Sequence, residues 1–148
     1  MQEKKILIAS DHGGFVLKET LKKMLQDKGY EVVDCGTNSV DSVNYPDYAK
    51  RLAEGIKSKE AERGILVCTS GIGMSIAANR FPFIRAALVH GVEEAHLCRA
   101  HNDANVLVFG AKFIEPNMAE KCVNEFLTTE FEGGRHACRV AALERMEQ

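Results

Sequence analysis

An apolar run that ends in a cysteine and a glycine-rich corner constrains the fold of this chain more than any other stretch. Residues 65–67 are continuously apolar, which is typical of a strand buried on both faces of a parallel sheet. Gly71 and Gly73 then allow the backbone to turn, and residues 75–78 continue with helical spacing. The stretch predicts a strand, a loop and a helix, with Cys68 at the carboxyl end of the strand, where open α/β sheets bind ligands.

The same alternation of short apolar runs and helically spaced apolar residues continues along the chain. The other predicted strands cover residues 6–10, 32–33, 85–89 and 106–109. The other predicted helices cover residues 15–25, 46–57, 92–99 and 116–127, followed by a last amphipathic helix through Val140, Leu143 and Met146. This order indicates a three-layer, doubly wound, Rossmann-like α/β fold with a five-stranded parallel sheet. We expect one domain over residues 1–148.

Charge and cysteine content narrow the possible partners and location. The formal net charge of −2, without a long block of Lys or Arg, gives no reason to expect nucleic acid or an anionic membrane as a partner. No apolar run approaches the roughly 18 residues of a membrane-spanning helix. The five cysteines lack CxxC spacing and the chain begins without a secretory apolar region, so we expect free thiols in a reducing cytoplasm.

Cys68 is the first candidate for chemistry. A lone cysteine after an apolar run is most often a small core residue. Here the glycine corner brings backbone N–H groups together beside a helix N-terminus, and such surroundings bind anions and lower the pKa of a thiol. This favours a functional thiol. The other cysteines have no such corner and are expected to be ordinary structural residues: Cys35, Cys98, Cys122 and Cys138.

Further candidates follow other elements. Asp11 and His12 end the first strand, where Asp11 alternatively caps the next helix. Because strand-to-helix loops share one edge of the sheet, we expect these residues, the Cys68–Gly73 loop and the segment near the fourth helix to meet in one crevice. His101, after that helix, has an imidazole that can move protons. A metal site is the competing interpretation, but the histidines lack HxxxH or HExxH spacing, so we expect no metal.

Arg135 and Arg139 are four residues apart and therefore project from one face of the last helix. Two guanidiniums suit a phosphate dianion, whereas the alternative is a charged surface with acidic partners such as Glu144. The helix has no strand left to cover, so its apolar side packs either on the sheet or on a second copy of the chain. Spacing alone decides neither whether the arginines bind phosphate nor what the apolar side of the helix covers.

Six motifs in a fixed order resemble those of one family: Ser10-Asp-His-Gly13, Asp34-Cys-Gly-Thr37, Tyr45-Pro-Asp-Tyr48, Gly64–Arg80, His101-Asn-Asp-Ala-Asn105 and Glu132-Gly-Gly-Arg-His136. The whole chain resembles ribose-5-phosphate isomerases of the B type, a group that also contains galactose-6-phosphate and allose-6-phosphate isomerases. The resemblance implies an aldose–ketose isomerase that acts on a phosphorylated sugar through a cis-enediolate, without a metal or organic cofactor. It also implies a homodimer or a dimer of dimers whose active site lies between two subunits.

The resemblance also implies roles for individual residues. Cys68 matches the base that moves a proton between C2 and C1, and His101 matches the residue that assists opening of the furanose ring. The corner matches an oxyanion hole that stabilises the enediolate. Backbone N–H donors and the catalytic Ser70 hydroxyl form this hole, whose residues are Thr69, Ser70, Gly71, Ile72 and Gly73. The remaining matches bind the sugar and its phosphate: Asp11, His12, Asn102, Lys112, Arg135 and Arg139. Tyr45 lies in a matching motif that lines the site.

Two positions depart from the family pattern. Met74 stands where one branch carries a glutamate base, which leaves Cys68 as the base. Lys112 stands where an arginine often assists the phosphate, and a lysine supplies charge without a bidentate fork. Because one chain carries Cys68, His101 and both arginines, ribose 5-phosphate is the expected substrate, with allose 6-phosphate and galactose 6-phosphate as alternatives.

Two other classes of protein fit parts of the pattern. A phospho-sugar-binding module without activity needs the arginines and the glycine loop but has no use for Cys68 or His101. A flavodoxin-like or dinucleotide-binding protein explains the alternating elements, but no complete GxGxxG opens the first helix. The sequence favours the isomerase.

Overall fold

Five strands and six helices make up most of the chain in the computed structural model, which describes residues 4–146. The strands are β1 (Lys5–Ser10), β2 (Glu31–Asp34), β3 (Gly64–Cys68), β4 (Ala86–Leu88) and β5 (Val106–Gly110). The helices are α1 (Phe15–Asp27), α2 (Tyr45–Lys57), α3 (Ile72–Ala78), α4 (Val92–Ala100), α5 (Pro116–Thr128) and α6 (Arg135–Arg145). A 3₁₀ turn at His12–Gly14 leads into α1. Within residues 4–146, no helix combines the length and the apolar character that crossing a membrane requires.

The sheet has the strand order β2-β1-β3-β5-β4, and every neighbouring pair is parallel. The register pairs Val67 of β3 with Phe109 of β5, which places β3 at the centre between β1 and β5. This confirms the predicted doubly wound α/β sheet. β4 is shorter than the predicted 85–89, because the N–H of Arg85 donates to Asn105 Oδ1 at 2.8 Å instead of entering the sheet.

Two apolar layers cover the sheet, one on each face. On one face, α1, α4 and α5 pack on fully buried side chains such as Ile8, Val67 and Phe109. On the other face, α2 and α3 pack on Leu66 and Val108. β3 and β5 are buried along their whole length, as expected for strands covered on both sides. Burying each such side chain contributes about 1.5–3 kcal/mol, so the centre of the sheet is firmly held.

A buried ion pair fixes the end of β2 beside β1. Lys18 of α1 has no exposed surface, and its Nζ lies 2.7 Å from Asp34 Oδ2. Lys22 Nζ lies 3.0 Å from the same oxygen, and Asp34 Oδ1 accepts the N–H of Gly36 at 2.9 Å. Burial alone would raise the pKa of Asp34, but Lys18, the Gly36 N–H and Lys22 hold it below its usual range. The loop after β2 is thereby held against Ser10, whose N–H donates to Gly36 O at 2.7 Å.

α6 lies outside both apolar layers. His136 is the one buried residue of this helix. Leu143 is 44% exposed, and Met146, directly after the helix, is 75% exposed. The helix contacts the body through His136 and through an ion pair between Glu144 and Arg85. As the sequence predicts, it covers no strand.

Candidate active site

Cys68 is the last residue of β3, and its side chain lies on the face covered by α2 and α3. It is 4% exposed, and its Sγ accepts the N–H of Gly71 at 3.2 Å. Gly71 has a φ of +80°, and a Cβ there would lie 2.5 Å from Leu88 Cδ1, so this corner requires glycine. The backbone therefore turns back on the sulfur and directs an N–H group at it, as in an anion-binding nest.

The other cysteines differ from Cys68 in their surroundings, although all five are free thiols. Burial raises the pKa of the Cys35, Cys98 and Cys122 thiols to about 11 in each case. Cys138 is exposed on α6. The five cysteines are free thiols, as expected, and the thiols of Cys35, Cys98 and Cys122 are held in the protonated form.

Neighbouring strand ends hold the corner from both sides. From the β1 side, Gly13 lies so close that a Cβ would be 1.9 Å from Thr69 Oγ1. From the end of β5, a Cβ on Gly110 would be 2.2 Å from Ser70 O. The N–H of Lys112 donates to Thr69 O at 3.0 Å, which brings Lys112 to the same edge of the sheet. The corner is thus fixed mainly by backbone packing.

Asp11 and His12 lie beside this corner. Asp11 is buried, its N–H donates to Val67 O at 3.2 Å, and its Oδ1 accepts the N–H of Gly14 at 3.0 Å. The predicted cap is therefore present. His12 Nδ1 accepts the N–H of Val43 at 3.2 Å, which in a neutral ring leaves the proton on Nε2. Partners within the chain thus orient both side chains.

Tyr45, the first residue of α2, covers the start of α3. A Cβ on Gly73 would lie 2.6 Å from Tyr45 Cζ, so the phenol ring rests directly on this glycine. Ser70 Oγ accepts the N–H of Ile72 at 3.2 Å, and the Ile72 side chain is exposed. The loop formed by residues 69–73 therefore has an aromatic wall on one side and solvent on the other.

His101 and Asn102 lie at the opposite edge of the sheet. α4 begins at the carboxyl edge of the sheet and runs back toward the amino edge. It ends near Asn105, whose O accepts the N–H of Gly64, the first residue of β3, at 3.0 Å. Gly64 and Cys68 are the two ends of β3, roughly 13 Å apart at 3.3 Å per residue. The expectation of one crevice is therefore wrong for His101 and Asn102, because a helix after a parallel strand returns to the amino edge.

At this amino edge His101 belongs to a cluster with His136 and Glu132. The two rings stack with centroids 4.2 Å apart and planes 14° from parallel. Glu132 Oε1 lies 3.9 Å from His101 Nε2 and 3.7 Å from His136 Nε2. Burial, His101 and Arg135 hold the pKa of His136 below its usual range, against the opposing effect of Glu132. His136 is therefore neutral near pH 7.

The same cluster is the group within residues 4–146 that could supply metal ligands, since its three ligand atoms lie within 4.8 Å of one another. A shared ion must lie about 2.0–2.1 Å from each ligating nitrogen and close to each ring plane. The stacked rings direct their Nε2 lone pairs side by side rather than toward one point. The ring geometry fits a stacked pair beside a carboxylate, and it does not fit a metal ion.

Arg135 and Arg139 are exposed residues of α6, the helix that carries His136. Within residues 4–146, no carboxylate forms an ion pair with either guanidinium, because Glu144 pairs with Arg85. The alternative in which Glu144 neutralises these arginines is therefore wrong. The two guanidiniums therefore lie on one face of α6, near His101 at the amino edge.

Sequence reasoning did not single out Glu132 or the stacking of His136 on His101. Glu132 precedes α6, so its approach to His136 follows from the bend at Gly133 and Gly134 and not from helical spacing. Gly133 and Gly134 have φ values of +68° and +53°, so the bend into α6 favours glycine. The contact with His101 depends on tertiary packing.

Comparison with known proteins identifies the family. A model described as Ribose/Galactose Isomerase matches residues 6–143. The chain belongs to this family. It is therefore an isomerase, and the resemblance found in the motifs is confirmed.

Family members share the fold over nearly the whole length. Ribose-5-phosphate isomerase B of Escherichia coli is 43% identical over 145 residues, covering 98% of this chain and 97% of that protein. A solved ribose 5-phosphate isomerase from Thermotoga maritima has a TM-score of 0.94 and 51% identity, over 95% of this chain and 97% of the other. Ribose-5-phosphate isomerase B from Clostridium thermocellum has a TM-score of 0.95 and 46% identity, over 97% of each chain.

Proposed function

We propose that this family member interconverts D-ribose 5-phosphate and D-ribulose 5-phosphate, with Cys68 as the base. The observation that carries the proposal is the buried Sγ at the end of β3, which accepts the Gly71 N–H beside a loop of backbone donors. The relatives named ribose-5-phosphate isomerase B support this choice of sugar.

Ring opening comes first, because only the open chain of ribose 5-phosphate has a carbonyl group. The C1 hydroxyl loses its proton, C1=O forms as the bond from C1 to the ring oxygen breaks, and the ring oxygen gains a proton. We assign help with this exchange to His101, because an imidazole can accept and donate protons near neutral pH.

Cys68 then moves one proton. Its thiolate removes the proton from C2, and the electrons of that bond form the C1–C2 double bond of a cis-enediolate while O1 takes the negative charge. Return of the proton to C1 and a shift of a proton from O2 to O1 give the ketose. An ordinary thiol has a pKa of about 8.5, close enough to neutral for this task. The Gly71 N–H points at this sulfur.

The enediolate oxygens need hydrogen-bond donors, and the corner supplies them. The N–H of Gly73, in the first turn of α3, has no carbonyl partner within the helix. The neighbouring Ile72 N–H donates to Ser70 Oγ at 3.2 Å and would change partner to reach the enediolate. The hydroxyls of Thr69 and Ser70 lie in the same loop. Loss of one such donor typically costs about 10²–10³ in rate, so this loop is expected to matter nearly as much as the base.

We propose that Arg135 and Arg139 bind the phosphate and that Asn102 binds a sugar hydroxyl. His12 and Lys112 contact the substrate from the opposite side of the site. Since the arginines belong to the amino edge, one chain cannot place them over its own Cys68. A second copy whose amino edge covers the carboxyl edge of the first completes the site. We therefore propose a homodimer or a dimer of dimers with shared active sites.

Exposed apolar side chains on both edges support this pairing. Around the carboxyl edge, Ile72, Ile76 and Phe113 are each more than half exposed. On and after α6, Leu143 and Met146 are exposed as well. Large apolar side chains grouped on a surface mark interaction sites, and here they flank the two halves that must meet.

The first test measures initial rates of ketose formation from ribose 5-phosphate and from allose 6-phosphate, with EDTA present. We expect ribose 5-phosphate to react faster and Cys68→Ala to lose about 10²–10⁴ in rate, the usual contribution of a general base. Cys122→Ala, which changes a buried cysteine far from the corner, is the matched control and should keep its rate. Preference for allose 6-phosphate would change the substrate, and turnover of neither sugar would overturn the proposal.

A further inference from the structure

His136 is a buried imidazole that no step above uses. We propose that His136 is a positioning residue whose ring fixes the plane of the His101 imidazole, in the orientation from which His101 acts on the sugar ring. This inference rests on the proposed function, in which His101 assists ring opening.

The stack restrains an otherwise open side chain. The His101 side chain is 36% exposed and follows the last residue of α4, whereas the His136 side chain is 10% exposed. With planes 14° from parallel, the His136 ring covers one face of His101 and disfavours rotations that tilt the imidazole. Stacked aromatic pairs gain from this contact beyond the burial of area, so one ring orientation is favoured severalfold.

The supporting ring is held independently of the stack. The N–H of Glu132 donates to Ala100 O at 3.0 Å, which joins the segment before α6 to the residue before His101. The N–H of His136 donates to Gly133 O at 2.9 Å and fixes the first turn of α6. The two rings are thus carried by segments that the backbone already holds together.

Glu132 contributes to the same arrangement. Its Oε1 lies within 4 Å of the Nε2 atoms of both His101 and His136. The remaining charged groups near His136 are Arg135 and Arg139 on α6. A neutral His136 adds no further positive charge beside His101.

The deuterium isotope effect at C2 separates this role from a merely structural one. Ribose 5-phosphate is a furanose that must open before Cys68 can remove the C2 proton, so ring opening and cleavage of the C2–H bond are successive steps. Loss of a residue that orients the ring-opening imidazole should slow the first step alone. Ring opening should then limit the rate, and the isotope effect with C2-deuterated ribose 5-phosphate should fall to about 1.

The experiment measures initial rates with ribose 5-phosphate and with its C2-deuterated form for the wild type, His136→Ala, His136→Phe and the control His96→Ala, which changes a histidine on the helix that precedes His101. We expect His136→Ala to lose about 10–100-fold in kcat/KM with ribose 5-phosphate, the size of effect that small misplacements cause. The isotope effect at C2 should be close to 1 in this variant. His136→Phe keeps an aromatic face and should recover most of the loss, and His96→Ala should match the wild type.

No loss in His136→Ala, a loss with a C2 isotope effect that stays well above 1, or a His136→Phe variant as impaired as His136→Ala would each overturn the inference. If His136→Ala does not fold, the comparison of His136→Phe with His136→Leu, which keeps volume without a stacking ring, gives the same decision. Turnover of neither sugar by the wild type would instead count against the proposed function.

Discussion

The two edges of the sheet carry chemistry of different kinds. At the carboxyl edge, Cys68 lies in a corner where Gly13 and Gly110 come too close to other atoms to carry a side chain. At the amino edge, His101 stacks on His136, and the nearby arginines of α6 are exposed. The chain thus holds its thiol internally by backbone packing and displays its arginines on an open surface.

The contribution of the carboxyl edge to folding stability can be tested through the buried ion pair that supports this edge. Lys18→Met leaves Asp34 with Lys22 as its remaining cation, and breaking a buried pair in this way should cost about 3 kcal/mol of unfolding free energy. Glu144→Gln removes the more exposed pair with Arg85 at the amino edge and should cost less than about 1 kcal/mol. Urea unfolding of both variants measures the difference, and equal losses would contradict the contrast between the edges.

Mixing inactive subunits tests whether the edges belong to one shared site. Cys68→Ala and His101→Ala should each be nearly inactive alone, because each removes a different half. In an equal mixture with exchanged subunits, half of the dimers are hybrid and one of their two sites is intact. Activity should therefore return to about a quarter of the wild type, a gain of roughly 25-fold or more over Cys68→Ala.

A control mixture changes the same edge twice. His101→Ala mixed with the Arg135→Ala/Arg139→Ala variant should regain nothing, since both changes fall in the amino-edge half. Equal recovery in the two mixtures would show that the division between edges is wrong.

The arginines test what the amino edge contributes. Arg139→Ala should lower kcat/KM for ribose 5-phosphate by about tenfold or more, mostly through KM, because a charged hydrogen bond to phosphate contributes about 1.5–3 kcal/mol. Lys112→Ala, on the carboxyl edge, should have a smaller effect. Steady-state kinetics and inhibition by inorganic phosphate measure both, and a larger effect at Lys112 would move the phosphate site to the carboxyl edge.

Acid provides the smallest expected effect. The pKa of Asp34 is lowered in the folded chain and returns to about 3.9 on unfolding. Such a group contributes stability that is present above the unfolded pKa and is lost as pH falls through the folded pKa. Between pH 7 and 3, the urea midpoint should therefore fall more in the wild type than in Asp34→Asn. If the urea midpoint of Asp34→Asn fell with pH as much as that of the wild type, the ion pair would not be what stabilises the carboxyl edge.

The carboxyl edge was predictable because its parts are consecutive in the sequence. The apolar run of β3, Cys68 and the glycines of the corner lie within one short stretch, and periodicity alone places them on a strand, a loop and a helix. The cap by Asp11 is equally local, since donor and acceptor are three residues apart. The parallel pairing and the two-sided cover follow from the short joints between alternating elements, whereas the position of β5 between β3 and β4 was not predicted.

The amino edge was not predictable in the same way. His101 and His136 meet only because α4 returns along the sheet and the segment before α6 bonds to Ala100. The pairing of Glu144 with Arg85 likewise joins residues far apart in the sequence. Spacing indicates which side chains share a helix face, but it does not say which other element that face meets.

The placement of the two half-sites at opposite edges also bears on how such a protein can evolve. In a dimer with shared sites, each chain uses its thiol with one partner surface and lends its arginines to another reaction centre. After gene duplication, one copy can lose Cys68 and the other can lose His101, and the hybrid pair still keeps one working centre. The geometry therefore opens a short path from identical subunits to an enzyme that requires two unlike ones.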